Sequence, residues 1–160
     1  MSGAGKSTLG VLLAKALGMS FIDTDIVIQQ RENRLLQDII DRDGIEEFLK
    51  IEEQTVLGLR LQNTVIATGG SVVYSDKAMA ALKSNGTVVY LHVTFEEIEK
   101  RLSDIKTRGI VIKKGNSLYD VYRERLPLYE KYSDIKIDCT AKQIEECVGY
   151  LVGKLNHPII

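Results

Sequence analysis

The chain has 160 residues, 44% of them apolar and 27% charged, with 21 Lys and Arg against 22 Asp and Glu for a net charge of −1. This size and mix suit one soluble globular domain over residues 1–160 and exclude a disordered chain, a collagen-like repeat and a small disulfide scaffold. The balanced charge provides no broad basic field, so neither nucleic acid nor an anionic membrane is expected as a partner.

The chain starts with the run Gly3-Ala4-Gly5-Lys6-Ser7-Thr8. Glycines in such a run let successive backbone N–H groups turn inward around phosphate oxygens, and the helix that follows aims its positive end at the anion. Lys6 can reach the outer phosphates and Ser7 can ligate Mg²⁺. The plain alternative is a glycine-rich turn. The full pattern G-x-x-x-x-G-K-[ST] would place its first glycine one residue before Met1. The strand that feeds such a loop is therefore expected to be missing or mostly missing, a shortfall of about ten residues by ordinary strand length.

Leu9, Leu12, Leu13, Ala16 and Leu17 recur at helical spacing up to Gly18. A short strand, Phe21-Ile22-Asp23, then ends in Asp23-Thr24-Asp25. Residues two apart on an extended chain point the same way, so both carboxylates can face the phosphate loop. One suits Mg²⁺ and the other suits a substrate hydroxyl, as orienter or base. Otherwise they form a solvated turn and cap.

Helical patterns follow from Asp25 to about Asp43, with a break near Asn33, and from Gly44 to about Leu61. Thr64 to Ala67 reads as a buried strand that runs into Thr68-Gly69-Gly70, where a ligand can approach the backbone or the chain merely turns. A helix from Asp76 to Lys83, a strand from Thr87 to His92 and a helix begun by the capping box Thr94-Phe95-Glu96-Glu97 come next. The polar stretch from about 103 to 117 suits a mobile lid, and its Arg108 can neutralise charge on a transferring phosphoryl group or stay solvated. A helix from Ser117 to Tyr132 carries Arg125, which could be a plain exposed charge, and Pro127, which is expected to kink or end it. Ile135 to Asp138 is a last strand, and Thr140 and Gln143 are expected to cap a last helix.

Short apolar strands alternating with helices predict an α/β domain with a mostly parallel sheet, its active site at the carboxyl ends of the strands. Cys139 and Cys147 lack metal-site spacing. With no leader pattern and no apolar run of membrane length, the expected location is cytoplasmic.

In order and spacing the chain resembles the shikimate kinase family. The matching stretches are Gly3 to Thr8, Phe21 to Asp25, Phe48 with Glu52, Val65 to Gly70, Val88 to Leu91, Arg108, and Arg125 to Tyr129. The resemblance implies a three-layer P-loop kinase fold, with a five-stranded parallel sheet short of its first strand here, flanking helices and a mobile lid. It implies ATP and Mg²⁺ as cofactors, a monomer, and transfer of the ATP γ-phosphoryl group to the 3-hydroxyl of shikimate on the route to chorismate and the aromatic amino acids. Residue by residue, Gly3, Ala4, Gly5, Lys6, Ser7 and Thr8 would bind the nucleotide phosphates, with Ser7 and Asp23 at the metal. Lys6, Asp25 and Arg108 would carry catalysis, Arg108 also meeting the phosphates. Asp25, Gly69, Gly70 and Arg125 would hold the acceptor, and Lys142 would lie near the adenine.

The sequence departs from the family pattern at three places. Leu49 stands where the family has an arginine that contacts the acceptor, Ser71 stands at the third glycine after Thr68, and Arg108-Gly109-Ile110-Val111 replaces Arg-Pro-Leu-Leu. Two alternatives stay open: a kinase of another small hydroxylated acid, and a nucleotide-binding module without catalysis.

Overall fold

The computed structural model describes residues 1–103 and 109–155. In chain order the elements are α1 (Lys6–Leu17), β1 (Ser20–Asp23), α2 (Thr24–Glu32), α3 (Leu36–Asp43), α4 (Ile45–Leu57), β2 (Thr64–Ala67), a 3-10 turn (Val72–Tyr74), α5 (Asp76–Asn85), β3 (Val89–His92), α6 (Phe95–Ser103), α7 (Leu118–Tyr132), β4 (Ile135–Asp138) and α8 (Ile144–Leu155). The alternation read from the apolar runs is present, and every strand pairing is parallel.

β1 pairs with β2 so that Asp23 lies opposite Ala67, and β3 pairs with β4 so that His92 lies opposite Asp138. Parallel register puts the segments following β1 and β2 side by side at one end, where a ligand site is expected. Among the described residues the four strands form two separate pairs. Between the edges of β2 and β3 lies a cleft of about 1370 Å³, walled by Leu9, Leu13 and Leu17 of α1 and by Leu151 and Leu155 of α8. Among the described residues no strand lies between β2 and β3, which both face this cleft.

Three apolar clusters hold the layers together. Leu9 and Leu13 of α1 meet Leu91, Ile98, Ile137 and Leu151 in the largest. Val56 of α4 packs with Val72, Met79 and Tyr132 in the second. Ile28, Ile39 and Phe48, from α2, α3 and α4, close over Val111 in the third. Cys147 is buried in the first cluster as free thiol, in keeping with its place on the apolar stripe.

Three local expectations are corrected. α4 ends at Leu57 rather than near Leu61, because Gly58 caps it by donating its N–H to the Gln54 carbonyl. α7 runs on through Pro127 to Tyr132. Proline there removes one ladder hydrogen bond, and burial of Val121, Arg125 and Tyr132 on the same helix offsets it. Thr140 turns its hydroxyl to the backbone N–H of Thr94, tying the β4–α8 loop to the start of α6, while the Gln143 carbonyl receives the first N–H groups of α8.

Leu151 is fully buried where α8 meets α1. Leu151→Ala is expected to cost about 2–5 kcal/mol by lost transfer energy and an unfilled cavity. Urea denaturation checks this, and a loss under 1 kcal/mol would mean that α8 is not fastened through this residue.

Candidate active site

The site is built around three turns at the carboxyl ends of β1 and β2. In the first, Gly3 and Gly5 adopt φ of 80° and 86°, the left-handed region that glycine enters without strain. A Cβ on Gly5 would meet nothing within 4 Å, so the loop keeps an open concave face at the start of α1. Lys6 lies beside this loop and donates from Nζ to the Met1 carbonyl at 2.8 Å. Burial, reinforced by the charges of Lys6 and Arg125, pushes the Met1 amine well below its ordinary range.

Ser7, in the first turn of α1, donates its hydroxyl to Asp23 Oδ2 at 2.5 Å. The other Asp23 oxygen accepts the Asp25 N–H at 3.0 Å and so caps α2. A hydroxyl and a carboxylate paired at the foot of an anion loop form a hard oxygen donor set of the kind Mg²⁺ takes. The residues thus fit both expected ligands: a nucleotide phosphate chain over Gly3 to Thr8, and Mg²⁺ at Ser7 and Asp23.

The third turn is Thr68-Gly69-Gly70. Thr24, fully buried, accepts the Gly69 N–H at 3.2 Å and locks this turn to the end of β1. A Cβ on Gly69 would collide with Glu52 Oε1 and stand 2.9 Å from Asp25 Oδ1. On Gly70 it would stand 3.1 Å from a terminal nitrogen of Arg125 and 3.4 Å from the Tyr129 hydroxyl. Gly69 leaves no room for a Cβ and Gly70 little, and the turn lies against Asp25 at the first and Arg125 at the second.

Arg125 is 1% exposed, so it is not a surface charge. Its Nε donates to the Tyr74 hydroxyl at 3.2 Å and one terminal nitrogen donates to the Val111 carbonyl at 3.0 Å. Its guanidinium also stands 5.1 Å from the Tyr74 ring centroid, within cation–π range. A cavity of about 210 Å³ lies beside it, lined by Leu49, Tyr74 and Val111 among others.

Ala4 is buried and Thr8 is exposed, both within or next to the loop as expected. Lys142 sits exposed in the loop after β4, on the same end of the strands. Arg108 falls outside the described residues, as does 104–107 of the expected lid. The remaining part of that segment lies against the acceptor side: a Cβ on Gly109 would stand 2.7 Å from Leu36 Cβ, and Val111 is buried on α2, α3 and α4.

Three residues at the site were not assigned roles by sequence reasoning. Arg101 of α6 pairs with Glu97 at 2.9 Å and donates to the Gly3 carbonyl at 3.3 Å. Its only signal was its place at the base of the lid. Tyr129 donates to the Gly70 carbonyl at 2.7 Å, and burial pushes its hydroxyl up to about 12. It belongs to the Arg125-to-Tyr129 stretch, which marked it without giving a role. Glu52 is 2% exposed and accepts the Ser71 hydroxyl at 2.7 Å. Burial pushes its carboxyl up to about 7, the Asp25 charge adds to the rise, and the Ser71 hydrogen bond opposes it.

An anion cradle with a metal-binding oxygen pair on one side, and a carboxylate with a buried cation on the other, divide the work of moving a phosphoryl group onto an alcohol. The class is that of the P-loop kinases acting on small molecules. Within that class, the chain belongs to the shikimate kinase family, whose profile matches residues 2–156. It is similar to the shikimate kinase of Bacillus mycoides (strain KBAB4), 34% identical over 154 residues that cover 96% of this chain and 93% of that one. Among solved structures it resembles shikimate kinase from Acinetobacter baumannii in complex with shikimate, with TM-score 0.89, 26% identity, and coverage of 99% and 90%. It also resembles shikimate kinase from Aquifex aeolicus, with TM-score 0.79, 31% identity, and coverage of 98% and 92%.

The raised Glu52 carboxyl has a consequence for stability. The folded state holds its proton more tightly than the unfolded chain, whose value is near 4.5. The native state is therefore unpenalised below that pH and loses stability as pH rises toward about 7. The full loss is on the order of 3 kcal/mol. Glu52→Gln should lack this fall, so its stability relative to the parent should rise between pH 5 and pH 8. Parallel urea-denaturation curves for the two proteins across that range would contradict it.

Proposed function

We propose that the protein is an ATP-dependent shikimate kinase that transfers the γ-phosphoryl group of ATP to the 3-hydroxyl of shikimate. The observation that carries this reading is the Gly69–Gly70 turn, against which the Asp25 carboxylate and the buried Arg125 both lie, next to the phosphate loop. A guanidinium withdrawn from water suits a carboxylate-bearing acceptor, and the adjacent carboxylate suits its hydroxyls.

In this mechanism Gly3 to Thr8 hold the nucleotide phosphates through backbone N–H groups and the α1 N-terminus. Mg²⁺, when bound, screens the phosphate oxygens and favours in-line transfer. Ser7 and Asp23 would hold it. Lys6 leaves the Met1 carbonyl for the phosphates, and Arg108 neutralises charge on the transferring group. Asp25 orients the attacking hydroxyl and takes its proton as the new P–O bond forms and the bond to ADP breaks. Gly69 and Gly70 leave room for the acceptor ring, and Tyr129 fixes the Gly70 carbonyl. Lys142, exposed in the loop after β4, would lie near the adenine. Most of the acceleration in such a site comes from positioning and charge neutralisation.

The chain acts as one kinase domain, and the finer expectations of a cytoplasmic monomer go with this reading. Among the described residues no helix is long and apolar enough to cross a membrane. Leu49 favours a second reading, in which a related hydroxylated acid is the better acceptor.

The test is ADP release with shikimate, alone and against other cyclic and linear hydroxy acids. Shikimate-dependent turnover supports the first reading. Turnover with a different acid only would replace it by the second, and ATP binding without turnover on any acceptor would leave a non-catalytic module. In the active protein, Asp25→Asn should lower kcat by about 10²–10⁴-fold with little change in ATP affinity, as expected for loss of a general base. Single-turnover measurements separate this from slower product release.

A further inference from the structure

Arg125 is fully buried, and α4 brings no second guanidinium to it: Leu49 stands where the family has an arginine, and no arginine occurs from Ile45 to Leu57. A lone cation that must meet an anion in one orientation has to be held by its neighbours. The Val111 carbonyl holds one terminal nitrogen at 3.0 Å. The other faces the turn after β2, 3.1 Å from where a Cβ on Gly70 would stand. The rest of the group is held by Tyr74.

Tyr74 ends the 3-10 turn that follows Ser71, and it meets Arg125 in two ways. Its hydroxyl accepts from Arg125 Nε at 3.2 Å, which fixes the plane of the guanidinium. Its ring lies under that group, 5.1 Å from carbon to centroid. Tyr74, Leu49 and Val111 line the cavity of about 210 Å³, whereas Arg125 does not. The tyrosine thus walls the guanidinium off from a space into which a freer side chain could turn. Burial raises the Tyr74 phenol above its ordinary range, Arg125 opposes the rise, and the Glu124 carboxylate behind the hydroxyl adds to it. Tyr74 lies outside every stretch that carries the family resemblance.

On the reading given under Proposed function, we infer that Tyr74 is a positioning residue: it aims the Arg125 guanidinium at the acceptor carboxylate and holds it there before the acceptor arrives. With Leu49 in place of an arginine, affinity for the acid group depends on that aim. A guanidinium fixed in advance gives up less rotamer freedom on binding. The effect of Tyr74 passes through Arg125 and reaches neither Asp25 nor the phosphate loop.

The test is calorimetric binding of shikimate and of its uncharged methyl ester to the parent, Tyr74→Phe and Tyr74→Leu, with steady-state kinetics on the same proteins. Phenylalanine keeps the ring face and removes the hydroxyl, and leucine removes both. Shikimate should bind about tenfold more weakly to Tyr74→Phe, the worth of one hydrogen bond to a charged group, and more weakly still to Tyr74→Leu. KM for shikimate should rise in step, while kcat and ATP affinity stay within about twofold of the parent. The ester, which brings no charge to be met, should lose about threefold or less. Glu124→Gln keeps the shape of an exposed side chain and removes the charge behind the Tyr74 hydroxyl. It should weaken shikimate and spare the ester, and it carries the test should the Tyr74 variants fail to fold. Unchanged shikimate affinity in the variants, or equal losses for shikimate and ester, would overturn the role of Tyr74 and leave the kinase reading intact. A parent that binds no shikimate would overturn both.

Discussion

The hydrogen bond from the Gly69 N–H to the buried Thr24 hydroxyl joins the ends of β1 and β2, and the site is arranged about it. Parallel pairing sets Asp23 opposite Ala67, so the segments that follow leave the sheet together. Without that register, Asp23 and Asp25 would not stand beside the glycine turn. The lock is short, local and withdrawn from water, where a hydrogen bond is costly to break and leave unmade. It lets two four-residue strands define the relative positions of the nucleotide side and the acceptor side.

Charge in the acceptor half is balanced by burial as much as by pairing. Arg125 is held by Tyr74, by the Val111 carbonyl and by an aromatic face, all neutral partners that leave its charge available to an anion. Glu52 meets the same low-dielectric surroundings from the other sign: burial raises its carboxyl until it is partly neutral near pH 7. A family arginine at position 49 would supply the missing cation. This chain has an apolar side chain at that position, and Glu52 takes a neutral hydroxyl from Ser71 instead.

Much of this was legible along the chain because the signals are local. Gly3 to Thr8 carry their chemistry in consecutive residues; the period of a strand was the wrong reason to put Asp25 beside Asp23, since β1 stops at Asp23 and Asp25 lies in the first turn of α2 with its N–H on the Asp23 carboxylate. The α/β alternation came from runs of apolar residues that need no tertiary knowledge. Glu52 gave no such signal: on α4 it reads as one more acid in the run Glu46, Glu47, Glu52, Glu53, and only the fold turns it inward. Arg125 likewise sits in Arg123-Glu124-Arg125, where local composition favours an exposed face, and α7 buries it by its angular position. Pro127 misled because propensity is a statement about isolated helices, whereas α7 is held by packing on both sides of the proline. The Ser71 hydroxyl on Glu52 is a contact between α4 and the turn after β2, invisible at a separation of 19 positions.

The connection between α6 and α7 is anchored in each half of the site by its described flanks. At its near end Arg101 reaches the Gly3 carbonyl, so α6 reads the conformation of the phosphate loop. At its far end the Val111 carbonyl receives Arg125, and Val111 itself is buried on Ile28, Ile39 and Phe48. Gly109 fits only because it lacks a side chain against Leu36 and the Gln37 backbone. Each flank is thus anchored in a different binding region by contacts that depend on that region's own geometry. A change in how Arg125 is held, by an acceptor carboxylate for example, bears directly on the Val111 carbonyl. The described flanks thus meet the phosphate loop at one end and the acceptor cation at the other, while Tyr129 against Met1 brings the two regions into direct contact.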